Sequence, residues 1–350
     1  MFSERLKLAR KRSGLSLRDL SDLLDSSVSA QSIGKYERGE MKPSSGVALK
    51  LAKTLNVSMS YLLSPSEARL DSVEFRKSSK SKARERLMVE AAVLDQVDRY
   101  LSIEEILDIG CHEWKKPSDA PYKIRSLEEA EEVASDVRAQ WNLGGDAIPN
   151  MTELLEEKGV KVLKVDIPLS VDGISCEVAR PDKEKVPVIV GAKSKSFERR
   201  RFTLAHELGH MVLKVPSEMD EEKACNRFAS ALLMPRDALL MEIGERRKAF
   251  GYEEIIQVKK IFGVSAASLV MRMNSLDVIS DASMSKIFKG IGFTWRKKEP
   301  SPLDLEEEPK RFERLVYRAL AEDMISLPKA AELLGRKTSD IQRVMSGPSE

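Results

Sequence analysis

Residues 201–235 read RFTLAHELGHMVLKVPSEMDEEKACNRFASALLMP, and the reading of this stretch decides the fold of the segment that contains it. It holds His206-Glu207-Leu208-Gly209-His210. Side chains four apart on a helix share one face, with Cβ atoms about 5 to 6 Å apart. Two imidazoles at that spacing can bind one cation. Tetrahedral zinc accepts neutral histidine nitrogens at about 2.0 to 2.1 Å, and a catalytic zinc takes three protein ligands and keeps one position open. Glu207, beside the first histidine, then stands where a general base is needed. Phe202, Leu204 and Ala205 before the motif, and Met211, Val212 and Leu213 after it, predict a largely apolar, buried helix. Unpaired polar groups are expensive in such a place, and coordination satisfies them together. Gly209 weakens a helix interior by about 0.5 to 1 kcal/mol relative to alanine, which predicts that a neighbour packs closely there. The chain has three histidines, and two of them are in this motif.

A third ligand is expected from the next helix, which begins in the acidic run Ser217-Glu218-Met219-Asp220-Glu221-Glu222. Ala224, Cys225, Phe228, Ala231 and Leu232 then recur at helical spacing. Glu221 and Glu222 both lie one turn before members of that face, so periodicity leaves the choice between them open. Cys225 reads as a small buried apolar residue.

The run RFTLAHELGH followed by EKACNRFASALLMP resembles the ImmA/IrrE-like metallopeptidases. The resemblance implies a zincin-like domain whose third ligand is the glutamate that opens an E-x-x-x-N segment. Here that is Glu222, with Asn226 one turn further on to support a ligand. It leaves Glu221 as a first-turn carboxylate favoured by the helix dipole. It further implies Zn²⁺ as cofactor, with Mn²⁺ as the alternative, and a repressor-type protein as substrate in a stress-response or mobile-element circuit.

The chain of 350 residues is long enough for two or three domains with separate cores. With 42% hydrophobic and 33% charged residues and no apolar run long enough to span a bilayer, it reads as a soluble protein without a membrane partner. MFSERLKLARKR lacks an apolar leader, so a cytoplasmic location is expected. Cys111, Cys176 and Cys225 are odd in number and far apart, which argues against a disulfide framework. Residues 1–90 hold 18 Lys or Arg against 11 Asp or Glu, whereas the whole chain carries only +2. The basic end is the expected nucleic-acid end.

Within that end, Leu6, Leu8 and Ala9 and then Leu17, Leu20, Leu23 and Leu24 mark two short helices around Ser13-Gly14-Leu15, with Ser16 capping the second. A third is expected at Ala30–Arg38, stopping at Gly39, and two more at Ser44–Leu55 and Ser58–Leu63. SAQSIGKYERGEMKPS followed by LAKTLNVSMSYLL resembles the XRE-type, phage-repressor-like helix-turn-helix domains, which implies double-stranded DNA as partner. The third helix then enters the major groove. Gln31 is the expected base contact, because an amide can pair bidentately with adenine. Ser29, Ser32 and Lys35 come next, and Arg18 and Lys42 are expected on phosphates. Glu37 is expected to pair inside the domain. The turn between Leu24 and Ile33 is about two residues longer than the family norm, with Asp25 where a glycine is usual and Arg18 where a glutamine is.

The fold class expected is mainly α with a small sheet (α+β). A five-helix DNA-binding domain at 1–64 precedes a connector at 65–125, a metallopeptidase domain at 126–280, and a linker with a helical tail at 281–350 whose role is open. The connector holds Pro65, a basic joint at Lys77–Lys82 and a helix at 84–109 with Leu87, Ala91, Leu94, Val97, Leu101 and Ile106 near one face. That face suits either a homodimer interface or packing on the peptidase domain. Cys111-His112 is kept out of the site. Helices are expected at Leu127–Trp141 and Met151–Lys158, and strands at Val160–Val165, Gly173–Val178 and Val186–Val190 with a turn at Pro181-Asp182. The last strand leads into the motif helix, and an exposed edge of such a sheet can hold an extended peptide. Residues 253–274 imitate a helix-turn-helix and read as closing helices. Arg296–Lys310 reads as a charged linker, and SLPKAAELLGRKTSDIQRVM as a helical packing unit. Arg227 and Tyr252 are candidates to stabilise an oxyanion. Two functions compete: a DNA-binding regulator with zinc-dependent endopeptidase activity, or a non-catalytic repressor or antitoxin whose zincin fold senses or binds a partner.

Overall fold

A computed structural model describes residues 2–63, 73–75, 83–109, 113–165, 173–180, 183–192, 196–295 and 297–347. The basic joint with Pro65, Cys111-His112 and the Pro181-Asp182 turn lie outside the described residues. Among the described residues, no helix is long and apolar enough to cross a membrane.

Five short helices open the chain: α1 (Phe2–Arg12), α2 (Leu17–Leu23), α3 (Ala30–Glu37), α4 (Ser45–Thr54) and α5 (Met59–Leu63). Serines start four of them. The hydroxyls of Ser16, Ser29, Ser44 and Ser58 accept the backbone N–H of Asp19, Ser32, Val47 and Tyr61, and Asp19 returns a bond to the Ser16 N–H. Leu6, Leu20, Ile33, Leu51 and Leu62 meet in one core. The long turn between α2 and α3 is absorbed by Asp25 and Ser26, both left-handed at φ 53° and 54°. Aspartate visits that region because its short polar side chain bonds locally. The Ser21 hydroxyl then ties the turn down by donating to the Val28 carbonyl at 2.8 Å.

After β1 (Val73–Phe75) comes α6 (Ala83–Ile106), which is enclosed by three different parts of the chain. Val89, Val93, Val97 and Leu101 pack on the sheet described below. Ile103 and Leu107 pack on the tail. Toward α1 it presents carboxylates instead, with Asp98 taking Arg5 and Asp95 taking Arg12 at 2.6 Å each. Leu87, read as part of the apolar face, is exposed. A helix covered on several sides carries no single stripe, so the one-face reading was too narrow. Much of the face offered to a second copy is covered by the chain's own sheet and tail.

The next elements are β2 (Tyr122–Lys123), α7 (Leu127–Gln140), α8 (Met151–Glu157), β3 (Lys161–Val165), β4 (Gly173–Arg180), β5 (Lys183–Ala192), α9 (Phe197–Val212), β6 (Leu213–Lys214) and α10 (Glu221–Leu233). The main sheet runs β1-β4-β5-β3, with β4 antiparallel to both neighbours and β3 parallel to β5. Parallel β2 and β6 form a second small sheet. Ile174, Cys176 and Val178 face α6, so the alternation of a strand puts Gly173 and Ser175 on the face toward α9.

α11 (Arg236–Ile243), α12 (Tyr252–Phe262), α13 (Ala266–Ser275) and α14 (Asp281–Lys289) complete this part of the chain. Phe262, Val264, Ala266, Leu269 and Met273 join the core that also holds Leu204, Leu208 and Phe228. The helix-turn-helix imitation at α12 and α13 therefore serves as packing. The tail, α15 (Arg311–Ala321), α16 (Leu327–Leu334) and α17 (Thr338–Ser346), closes over the end of α6 through Val316, Ala330 and Ile341. The architecture is mainly α with small sheets, as expected.

The stretch read as a charged linker is bolted down rather than free. Glu299 takes the Lys259 ammonium at 2.8 Å, Glu308 takes Lys164 at 2.5 and 2.7 Å, and Glu307 pairs with buried Arg201. Composition suggested solvation. The acids instead answer cations that α9 and α12 bury and the sheet half-buries, and buried cations need partners.

Candidate metal centre and nucleic-acid face

Ser196 caps α9, and the helix then crosses α10 at Gly209. A methyl group on Gly209 would stand 3.2 to 3.3 Å from Phe228 Cδ1 and from the Cα and Cβ of Cys225. The two helices meet backbone to backbone there, which is the close approach the glycine predicted. It brings the first turn of α10 alongside His206 and His210.

The ligand atoms of His206, His210 and Glu222 lie within 4.8 Å of one another. Glu222 turns one carboxylate oxygen toward each ring: Oε2 is 3.5 Å from His206 Nε2, and Oε1 is 3.6 Å from His210 Nε2. The other ring nitrogens face away from this point. His206 Nδ1 donates to Asn226 Oδ1 at 3.0 Å, and His210 Nδ1 donates to Glu221 Oε1 at 3.0 Å. A ring whose Nδ1 carries the proton turns a lone pair on Nε2 inward, and the two Nε2 atoms stand 3.1 Å apart. Three groups able to offer lone pairs thus converge on one point. Burial, followed by the neighbouring imidazole, holds His206 below its ordinary pKa and so keeps it neutral. This donor set of two imidazole nitrogens and one carboxylate fits a zinc-type cation.

The geometry also separates the two glutamates that periodicity could not. They are one residue, about 100° of helix, apart, so Glu222 reaches the convergence point while Glu221 reaches the far side of His210. Glu221 is therefore a hydrogen-bond partner that fixes a ring as well as a first-turn carboxylate. Cys225 is buried, with Sγ 3.4 Å from His210 Nδ1, on the side away from that point.

Glu207 is buried against β4. A Cβ on Gly173 would fall 2.4 Å from Thr203 Cγ2 and 3.3 Å from Glu207 Cγ. Only glycine lets β4 pass this close to the acid, a role that its place at the start of a predicted strand does not reveal. Cys176, on the same strand, has its thiol pushed up to about 12 by burial, with the Glu207 and Glu177 charges adding to the effect. It is an inert core thiol. Of the two oxyanion candidates, Arg227 is held by Glu131 at 2.9 Å, and Tyr252 lies beside Trp295 with ring centroids 6.3 Å apart.

On α3, Gln31 and Lys35 are exposed, as are Arg18 on α2 and Lys42 beyond α3. The serines are more occupied than expected. Ser29 Oγ accepts the Ser32 N–H at 3.2 Å and pairs with Ser32 Oγ at 2.9 Å, so both hydroxyls serve the helix cap. Glu37 is tied by two bonds, of 2.6 and 2.8 Å, to Arg10, which keeps its charge turned inward.

Comparison with known families agrees with both resemblances. Residues 6–62 match the helix-turn-helix family, and residues 155–274 match the IrrE N-terminal-like domain. No curated protein and no solved structure matches the chain. The N-terminal unit is a DNA-binding helix-turn-helix domain, and the segment that carries the His-Glu-x-x-His helix is of metallopeptidase type.

Proposed function

We propose that a chain joining these two units is a DNA-binding transcriptional regulator that hydrolyses a peptide bond in a repressor-type protein. The single observation behind this reading is the convergence of His206 Nε2, His210 Nε2 and both oxygens of Glu222 beside a buried, separately held Glu207. When bound, zinc, or manganese in its place, supplies Lewis acidity toward water and toward the scissile carbonyl. The residues do the rest. Glu207 takes a proton from the attacking water as the C–O bond forms and the carbonyl opens, and delivers it to the amine nitrogen, which leaves as the C–N bond then breaks and the carbonyl re-forms. Glu221 and Asn226 hold the two rings in the tautomer that turns Nε2 inward. β4 offers main-chain groups along which an extended substrate can align next to Glu207. Incubating the purified protein with repressor-type proteins encoded beside it, with and without a chelator, tests the whole reading. A metal-dependent cut in one of them is the expected result, and intact repressors under all conditions would count against it.

The ligand set has its own test. Glu222→Ala removes one of three ligands and is expected to abolish stoichiometric zinc uptake. Glu221→Gln, which only loosens a ring, is expected to weaken zinc binding about 10- to 100-fold. Chelator competition reads both. Equal losses for the two variants would contradict the assignment.

At the other end, Gln31 is assigned to base contact, Lys35, Arg18 and Lys42 to the DNA surface around it, and Ser29 and Ser32 to holding α3 at its entry into the groove. Gln31→Ala is expected to relax sequence preference at one position by about 1 to 3 kcal/mol, while Lys35→Ala weakens all sequences alike and lowers the salt slope by about one. Binding isotherms at several salt concentrations separate these outcomes. A Lys35 variant with an unchanged salt slope would remove that residue from the interface.

A further inference from the structure

The outer edge of β4 is held by three residues from a distant part of the chain. Val73, Glu74 and Phe75 of β1 pair antiparallel with Val178, Glu177 and Cys176. They lie between the DNA-binding helices and α6, so the pairing ties the connector to the strand that passes Glu207. The register shows what that edge leads to. An incoming strand that continued this pairing for three further residues would come opposite Gly173, whose position abuts Glu207 Cγ. One continuous edge therefore runs from the β1 pairing to the candidate catalytic acid, and among the described residues the chain itself pairs with Cys176–Val178 of it.

We infer that Val73–Phe75 is a tethered competitor for the peptide-binding edge, so that a substrate strand must displace this segment of the connector before it can lie fully along β4. The inference rests on the peptidase reading for the identity of the edge, and adds how access to it is regulated. Strand addition draws its affinity from main-chain hydrogen bonds, which any extended segment can supply. A segment on a short tether competes at an effective concentration in the millimolar range. Against a free peptide of about 100 µM intrinsic affinity, that gives roughly ten-fold competition.

The test uses the full chain carrying Glu207→Gln, so that no cleavage is needed to read it. The probe is a fluorescein-labelled synthetic peptide with the sequence of residues 70–81. One variant adds Val73→Gly, Glu74→Pro and Phe75→Gly, because proline removes a ladder donor and both residue types disfavour strands. It is expected to bind the probe about ten-fold more tightly than the parent. A second variant, Glu74→Cys with Glu177→Cys, joins residues directly opposite each other in the register. When oxidised it is expected to bind the probe at least ten-fold more weakly than its reduced form, with affinity restored by reduction in the same sample. The opposite signs protect the result from a folding defect in either variant. Equal affinity in the parent, the broken strand and the oxidised pair would overturn the inference. Failure of the peptidase reading would show separately, as absence of metal-dependent cleavage in the protein that retains Glu207.

Discussion

Glu207→Gln is expected to leave zinc content at one equivalent while cleavage falls by about 10² to 10⁴, the range a positioned acid or base contributes. The two effects separate because Glu207 is not part of the converging ligand set. It sits on the same helix, buried against the Thr203 side of β4, where an amide of equal size can replace it without opening a cavity. Metal analysis and cleavage of the same preparation provide the check. Loss of zinc together with activity would make Glu207 a ligand. Retention of full activity would remove the base and leave the rival function, in which the site binds a metal or a partner without turning over. The same variant in cells should keep DNA-dependent regulation and lose whatever response depends on cutting the repressor.

Lys259→Ala is expected to cost about 3 to 5 kcal/mol, because it orphans buried carboxylates. The Lys259 ammonium is fully enclosed and bonds Glu198 at 3.0 Å, Glu299 at 2.8 Å, and the carbonyls of Pro300 and Ser301 at 3.0 Å. Glu198 lies in the first turn of α9, so this cluster fixes the start of the metal helix against α12 and the strap that follows α14. Burial already holds the Glu299 carboxyl above its ordinary range, and loss of the ammonium raises it further. A carboxyl whose folded pKa is raised binds more protons when folded than when unfolded, so stability falls as pH rises through that pKa. The deficit of Lys259→Ala should therefore shrink toward acid pH and widen toward neutral, as read by urea melts across that window. Lys259→Met combined with Glu198→Gln and Glu299→Gln should recover much of the loss, since a matched set of uncharged groups leaves no orphan charge. A loss below about 1 kcal/mol for Lys259→Ala would mean that water reaches the cluster.

The pattern of residues 201–235 was enough for the motif helix, the helix after it, and the kind of chemistry their side chains suit. It sufficed because a four-residue spacing places two histidines on one face whatever surrounds the helix. The five opening helices were legible for a similar reason, since serine caps and apolar periodicity act within a few residues. Other features depend on contacts that join distant segments. Whether Glu221 or Glu222 meets the histidines turns on how closely α10 approaches α9, and that is set by Gly209 against Cys225 and Phe228. The acids of 299–308 looked like a solvated linker because their cationic partners are up to 144 positions away in sequence. Gly173 gave no sign that it makes room for Glu207, and β1 gave none that it would join β4. Local periodicity is written along the chain. Close approach, charge pairing and strand addition exist only once the chain is folded, and these decide where His206, His210 and Glu222 converge and which segment pairs along the edge beside them.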